Sequence, residues 1–206
     1  MEYAGLDITT NEEVYEPAED SLLAADVISE ELDKLEGTLS VLDIGCGTGI
    51  LGLVAATNPN VERVIFADIN EKALDLCRLN IGRNMGIVRA NCDVIKSDLF
   101  SEIKENFNMI IFNSPYLPEG GKDKLSSAWY GGETGIEVST RFLHQAVDHM
   151  SDNAEIILVV SSLGDLETLR KEINSLGLYI KRENKEHIHF EDIIVMVLVK
   201  TISIGS

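Results

Sequence analysis

Basic residues, cysteines and long apolar runs are all scarce in this chain, and each shortage excludes something. Lys and Arg number 17 against 35 Asp and Glu, for a net charge of −18. Nucleic-acid binding draws much of its affinity from basic side chains on phosphates. No basic cluster stands out, since Lys181, Arg182 and Lys185 are interleaved with Glu183 and Glu186. No direct nucleic-acid binding is expected, and the acidity reads as solubility. The three cysteines, Cys46, Cys77 and Cys92, are too widely spaced for a disulfide framework or a zinc site, so they read as reduced thiols and no metal site is expected. The longest strongly apolar run, Ile156 to Val160, is far short of a membrane span. The N-terminus is acidic and lacks a basic stretch followed by an apolar core, so no signal peptide is visible. These absences predict a cytoplasmic protein with no membrane partner.

What remains is an ordinary globular composition, 45% hydrophobic and 25% charged over 206 residues. That length is simplest as one domain, residues 1–206, with no repeat or low-complexity linker to divide it. Helix and strand patterns alternate. Leu22, Leu23, Val27, Ile28, Leu32 and Leu35 fall at helical spacing over 18–36, with Gly37 as the stop. Strands are expected at 39–44, 64–67, 87–94, 108–112, 156–160, 178–182 and 193–199. Helices are expected after the glycines near 50, from Asn70 to about Ile81, over 135–150 and over 165–176. This alternation predicts an α/β domain with a largely parallel sheet. The last two strands have no helix between them and should pair antiparallel.

Two loops carry the chemistry. The first is Asp43-Ile-Gly45-Cys-Gly47-Thr-Gly49, at the end of an apolar strand and the start of a helix. Glycines there let the backbone turn sharply and approach a ligand, beside the free N–H groups of the helix. Asp68 ends the next strand, placed to accept hydrogen bonds from a ribose diol. Gly47-Thr-Gly49-Ile-Leu-Gly52 also matches the dinucleotide pattern, so the turn alone serves two cofactor classes. Asp43 favours one of them. A carboxylate beside the first glycine would repel a pyrophosphate but attract the ammonium of S-adenosylmethionine; the plainer alternative is a turn or helix-cap acid. Asp98, in Ser97-Asp98-Leu99-Phe100, is placed to accept from an adenine amino group, with Leu99 or Phe100 against the ring.

The second loop, Phe112-Asn-Ser-Pro-Tyr116, follows another apolar strand. An amide or aromatic amine nitrogen is a poor nucleophile because its lone pair is delocalised. The Asn113 side-chain oxygen and the Ser114 carbonyl are suited to accept its two hydrogens, while Tyr116 stacks on the flat group and Pro115 fixes the backbone. Most of the acceleration would be positioning. Together the loops suggest methyl transfer from S-adenosylmethionine to an NH2 group. His144, His149, His187 and His189 read as surface or satisfied residues, and Trp129 as a support beneath a loop.

The chain resembles release-factor glutamine methyltransferases of the HemK/PrmC type, in their short archaeal and eukaryotic branch. The resemblance rests on Val14-Tyr-Glu-Pro-Ala-Glu-Asp-Ser21, Leu42-Asp-Ile-Gly-Cys-Gly-Thr-Gly49, Asp68-Ile-Asn70, Ser97-Asp-Leu99, Phe112-Asn-Ser-Pro-Tyr116 and Ala128-Trp-Tyr-Gly-Gly132. It implies the seven-stranded, Rossmann-like class I methyltransferase sheet, mostly parallel with an antiparallel last strand and helices on both faces. It implies an N-terminal helical element, residues 1–37, covering the cofactor site. It assigns Ser21, Asp43, Gly45, Gly47, Gly49, Asp68, Asp98, Leu99 and Asn113 to the cofactor. Asn113, Pro115 and Tyr116 fall to catalysis, and Asn113, Ser114 and Tyr116 to the substrate. The implied reaction is N5-methylation of the glutamine in the Gly-Gly-Gln motif of a peptide-chain release factor, helped by a small zinc-binding activator protein docked on an apolar edge strand around 87–95.

Two departures stand out. Ser114 replaces the first proline of the family's usual Asn-Pro-Pro-Tyr, which predicts a looser loop. Fewer than 40 residues precede Leu39, too few for the helical substrate-binding domain of bacterial relatives. Two other functions remain open from the sequence. One is adenine N6 or other nucleic-acid amine methylation, which uses the same loop chemistry; the other is a non-catalytic cofactor-binding subunit, with Ser114 as a sign of decay.

Overall fold

A computed structural model describes residues 1–115, 134–188 and 190–201. Seven strands form one sheet: β3 (Leu39–Ile44), β4 (Val61–Asp68), β5 (Asn91–Lys96), β6 (Phe107–Asn113), β7 (Met150–Ser161), β8 (Leu178–Ile188) and β9 (Glu191–Lys200). Their spatial order is β5-β4-β3-β6-β7-β9-β8. The first five run parallel, and β9 lies antiparallel to both of its neighbours. A two-stranded hairpin, β1 (Glu2–Tyr3) with β2 (Leu6–Asp7), precedes them and has no counterpart among the expected elements.

The side-chain alternation of the strands sorts the core into two layers. Val41, Val64, Phe66, Met109, Ile111, Ile157 and Val159 face α1 (Glu19–Leu32), α2 (Ile50–Thr57) and α3 (Glu71–Arg83). Leu42, Ile44, Ile65, Ile110, Phe112, Ile156 and Leu158 face α4 (Glu137–Ala146) and α5 (Leu166–Ser175). The same parity orients the strand ends. Asp43 continues the series of Val41, Asp68 that of Val64 and Phe66, and Asn113 that of Met109 and Ile111. All three therefore project from adjacent strands toward the face covered by α1, α2 and α3.

Two helix starts are capped by side chains, at Asn70 as expected and also at Asp165. Asn70 Oδ1 accepts from Lys72 N at 3.1 Å, and Asp165 Oδ1 accepts from Thr168 N at 3.1 Å. Helix α2 begins instead at Gly49, whose φ of 84° needs a residue without a Cβ. The strand expected over 87–94 begins only at Asn91. Residues 84–88 are held in a turn, with Ile87 N and Val88 N both donating to the Asn84 carbonyl.

Helix α1 is pinned at its far end by buried charge. Glu31, fully buried, accepts from Lys181 at 2.7 Å, Lys34 at 2.7 Å and Arg182 at 2.9 Å. Burial works to raise its carboxyl, but these donors outweigh it and hold it down at about 2. No helix among the described residues is long and apolar enough to cross a membrane.

Candidate active site

A cavity of about 380 Å³ opens at the carboxyl ends of β3, β4 and β6, where ligands of parallel α/β sheets sit. It is lined from four directions: by the start of α1 and the segment before it, by the glycine turn, by the ends of β4 and β5, and by the end of β6. Ser21, Asp43, Gly45, Gly47, Asp68, Asp98, Leu99, Asn113, Ser114 and Pro115 all line it. Gly49 does not; it caps α2 just behind the turn. Tyr116, Trp129 and His189 lie outside the described residues.

The glycine turn is left-handed at three points, with φ of 64° at Gly45, 54° at Gly47 and 84° at Gly49. Asp68 ties it to the next strand: its Oδ2 accepts from Gly47 N at 3.0 Å and its Oδ1 from Asn70 N at 2.8 Å. Burial raises the Asp68 carboxyl, against the pull of the Asn70 and Gly47 amides. Asp43 lies deeper, 1% exposed, with Oδ2 accepting from Gly52 N at 2.9 Å. It is thus both a cavity wall and a clamp on the first turn of α2. Burial pushes its carboxyl up to about 7.

The segment after β5 is held by Ser97, which sequence reasoning passed over. Ser97 Oγ donates to the Leu99 carbonyl at 2.7 Å and accepts from Glu102 N at 3.2 Å, while Ser97 N donates to the Asp68 carbonyl at 3.0 Å. These bonds hold Leu99 at a φ of 49°, a strained region for a branched side chain. Such strain persists where surrounding structure over-determines it. Asp98 at the cavity mouth takes a further partner, Arg141 of α4, at 2.5 Å.

Asn113 ends β6. Its Nδ2 donates to Asp20 Oδ2 at 2.9 Å and lies 3.4 Å from Ser21 Oγ. Its Oδ1 is buried and has no hydrogen-bond partner among the described residues. Buried acceptors are rarely left so, and each exception calls for an explanation. Asp20, 3% exposed, was visible in the sequence only as one letter of a motif. Ser114, 2% exposed, donates its Oγ to the Val159 carbonyl at 2.7 Å. This anchor on β7 supplies the restraint that the missing proline was expected to forfeit.

The residues suit a cationic, phosphate-free ligand. Two carboxylates, Asp43 and Asp68, stand at the glycine turn where a pyrophosphate would need cations. Among the described residues, Arg141 of the cavity wall is paired with Asp98, and Lys72 with the cavity residue Glu13. S-Adenosylmethionine fits that donor set. Ser21 and Asp43 would hold its amino-acid end, Asp68 its ribose, and Asp98 with Leu99 its adenine.

A parallel sheet with a reversed β9, bearing a glycine turn and an Asn-Ser-Pro loop at adjacent strand ends, defines a class I methyltransferase. The methyltransferase small domain family matches residues 8–187. A putative protein N5-glutamine methyltransferase of Methanocaldococcus jannaschii is 31% identical over 201 residues, 95% of this chain and 96% of that one. The release factor glutamine methyltransferase of Streptococcus pneumoniae is 33% identical over 169 residues, 77% of this chain and 58% of that protein. In fold, the chain is similar to E. cuniculi Mtq2 in the Mtq2–Trm112 complex responsible for methylation of the eRF1 translation termination factor. That likeness has a TM-score of 0.68 at 24% identity, over 92% of this chain and 99% of that one. The chain belongs to the methyltransferase small domain family, on its branch of HemK/PrmC-type glutamine methyltransferases.

Proposed function

We propose that this enzyme transfers a methyl group from S-adenosylmethionine to the side-chain amide nitrogen of the glutamine in the Gly-Gly-Gln motif of a peptide-chain release factor. The observation that carries the reading is the buried, unpartnered Oδ1 of Asn113. An acceptor reserved at the end of β6 suits a substrate group rich in N–H donors, which a primary amide is.

The bound cofactor supplies an electrophilic methyl group; the chain's residues prepare the nitrogen. Asn113 Oδ1 and the Ser114 carbonyl would accept the two amide hydrogens and draw them aside as the nitrogen becomes tetrahedral; the N–C bond formed replaces the methyl–sulfur bond, and one of the two hydrogens leaves as a proton to water. Pro115 keeps these acceptors convergent; Tyr116, expected from the sequence to stack on the flat amide, lies outside the described residues. Asp68, Asp98 and Leu99 hold the nucleoside in register, so catalysis is chiefly orientation and a fixed electrostatic frame. Residues 1–206 act as one domain, with 1–37 folded over the cofactor; Val14, Tyr15, Asp20 and Ser21 lining the cavity support this.

A protein acceptor is favoured over a nucleic acid by the charge at the rim. Lys72 and Arg141 are paired with acids there, and the chain carries −18 overall. The buried anchor of Ser114 also removes its substitution as a sign of decay.

A small activator protein, expected from the resemblance to bind zinc, adds along the outer edge of β5. That strand pairs only with β4 among the described residues, and exposed Leu79, Met85 and Ile87 lie on the approach to it. The E. cuniculi relative is a complex with Trm112, which supports a small partner here.

The test is transfer of label from S-adenosylmethionine to a matched release factor, its Gly-Gly-Gln→Gly-Gly-Ala variant, and single- and double-stranded DNA and RNA, with and without the partner. Label on the release factor that vanishes with the glutamine is expected. Label on nucleic acid alone would overturn the reading.

A further inference from the structure

Asp20 and Asn113 are 93 residues apart and meet through the 2.9 Å bond from Asn113 Nδ2 to Asp20 Oδ2. The other carboxylate oxygen of Asp20 is held as well. Its Oδ1 accepts from Ser21 N at 2.6 Å, Tyr15 Oη at 2.7 Å and Ser21 Oγ at 3.1 Å. The carboxylate is 3% exposed and sits in the first turn of α1, which is fixed at its other end by Glu31. Asp20 is thus a rigid acceptor presented to Asn113.

A primary amide has two ends of nearly equal size and opposite hydrogen-bonding sense. A half-turn of the Asn113 side chain would exchange them. It would then offer an NH2 group to the NH2 group of the acceptor, donor against donor. Asp20 Oδ2 meets Asn113 as an acceptor, so it binds the NH2 end of Asn113. That short bond, backed by the longer 3.4 Å one from the same nitrogen to Ser21 Oγ, decides which end is left over.

We propose that Asp20 is a positioning residue that selects the amide orientation of Asn113, so that Oδ1 and not Nδ2 meets the substrate amide. The inference deepens the glutamine-methylation reading and rests on it for the identity of the substrate. The lock itself is a property of the protein alone. It also accounts for the unpartnered Oδ1: the oxygen is kept unpaired because Asp20 has claimed the nitrogen.

Asp20→Asn is the sharpest probe because it preserves size. The new amide would keep its oxygen on Ser21 N and Tyr15 Oη and turn its NH2 toward Asn113. Asn113 would then flip to accept, and a donor would face the substrate. Turnover should fall by roughly 10²–10³, the scale of one misplaced oriented group, while S-adenosylmethionine affinity by calorimetry changes less than about threefold. The reciprocal pair Asp20→Asn with Asn113→Asp restores the pattern. The amide introduced on α1 donates to one oxygen of the carboxylate introduced on β6, and the other oxygen accepts from substrate. The double variant should regain about tenfold or more over Asp20→Asn, a rescue that a merely structural role would not give. Turnover of Asp20→Asn within about threefold of wild type, or a double variant no better than the single, would overturn the proposal.

A second readout needs no substrate. The Asn113 side-chain NH2 pair in a ¹H–¹⁵N spectrum should be protected from exchange in the wild type. It should shift and lose protection in Asp20→Asn, with the backbone spectrum otherwise preserved. If that pair behaves so while the wild type labels no release factor, the lock stands and the substrate reading fails. If the pair ignores the substitution, the lock fails whatever the activity.

Discussion

Ser114 Oγ donates to the Val159 carbonyl oxygen at 2.7 Å, fastening the residue after Asn113 to the neighbouring strand. The register supports the contact, since Asn113 pairs with Val159 across β6 and β7. A buried hydroxyl bond of this kind contributes about 1 kcal/mol net. Ser114→Ala should therefore lower the stability measured by urea unfolding by about that much. In the proposed mechanism it should also reduce turnover, because loss of the Oγ anchor lets the Ser114 carbonyl drift from the substrate amide.

In the proposed mechanism Asn113→Ala removes the other acceptor. Turnover should fall by roughly 10²–10³ while cofactor binding, measured by calorimetry, stays close to that of the wild type. Near-normal turnover in this variant would refute the assigned role.

Asp68→Ala should act on affinity first. In the proposed reading its carboxylate serves the ribose, and it also accepts from Gly47 N, so its loss weakens the ligand contact and the turn together. Charge-assisted bonds of this type contribute about 1.5–3 kcal/mol, so cofactor dissociation constants should rise by about 10- to 100-fold. Turnover at saturating cofactor should change less.

Asp43 gives stability an unusual slope with pH. Its folded carboxyl stands at about 7, raised by burial, whereas in an unfolded chain it titrates near 4. Between those values the unfolded chain has released this proton and the folded chain still holds it. The contribution is therefore complete below about pH 4 and lost as pH rises to about 7, on the order of a few kcal/mol. Glu31 runs the other way: held at about 2, it favours the fold at neutral pH and loses that effect as pH falls through its folded value. Denaturation across pH 4–8 should show stability declining, and Asp43→Asn should flatten the decline.

Gly52 is the last glycine of the stretch that matched a dinucleotide pattern, yet its reason is packing. A Cβ there would overlap the ring of Phe66, which is fully buried and cannot yield. Gly52→Ala should destabilise by about 1–3 kcal/mol in thermal or chemical unfolding.

Much of the fold was legible because period and burial agree. Leu39–Ile44 is apolar on both faces and bounded by turn residues, so its limits could be read directly, and the antiparallel ending followed from the missing helix between the last two strands. The β5 region misled because Ile87 and Val88 look like strand residues; the Asn84 carbonyl captures their amides, a local bond that apolar content does not reveal. Hairpin β1–β2 is too short to show a period. At the site, Asp43, Asp68 and Asn113 could be singled out because each sits at a strand end beside its motif, and the structure brings them to one cavity. Asp20 and Ser97 could not. Their roles arise from contacts, one across 93 residues and one within a tight turn, that no spacing rule encodes.

The two anchorages of α1 have a kinetic consequence. At one end Asp20 holds Asn113 of β6; at the other, Glu31 holds Lys181 and Arg182 of β8. Lifting the helix from either end would break these polar contacts and expose Val27, Ile28 and Leu32 to water, which is costlier than fraying an ordinary surface helix. Helix α1 should therefore have no partial opening of its own. Its amides should exchange with solvent together with those of the central strands, only when the whole sheet comes apart.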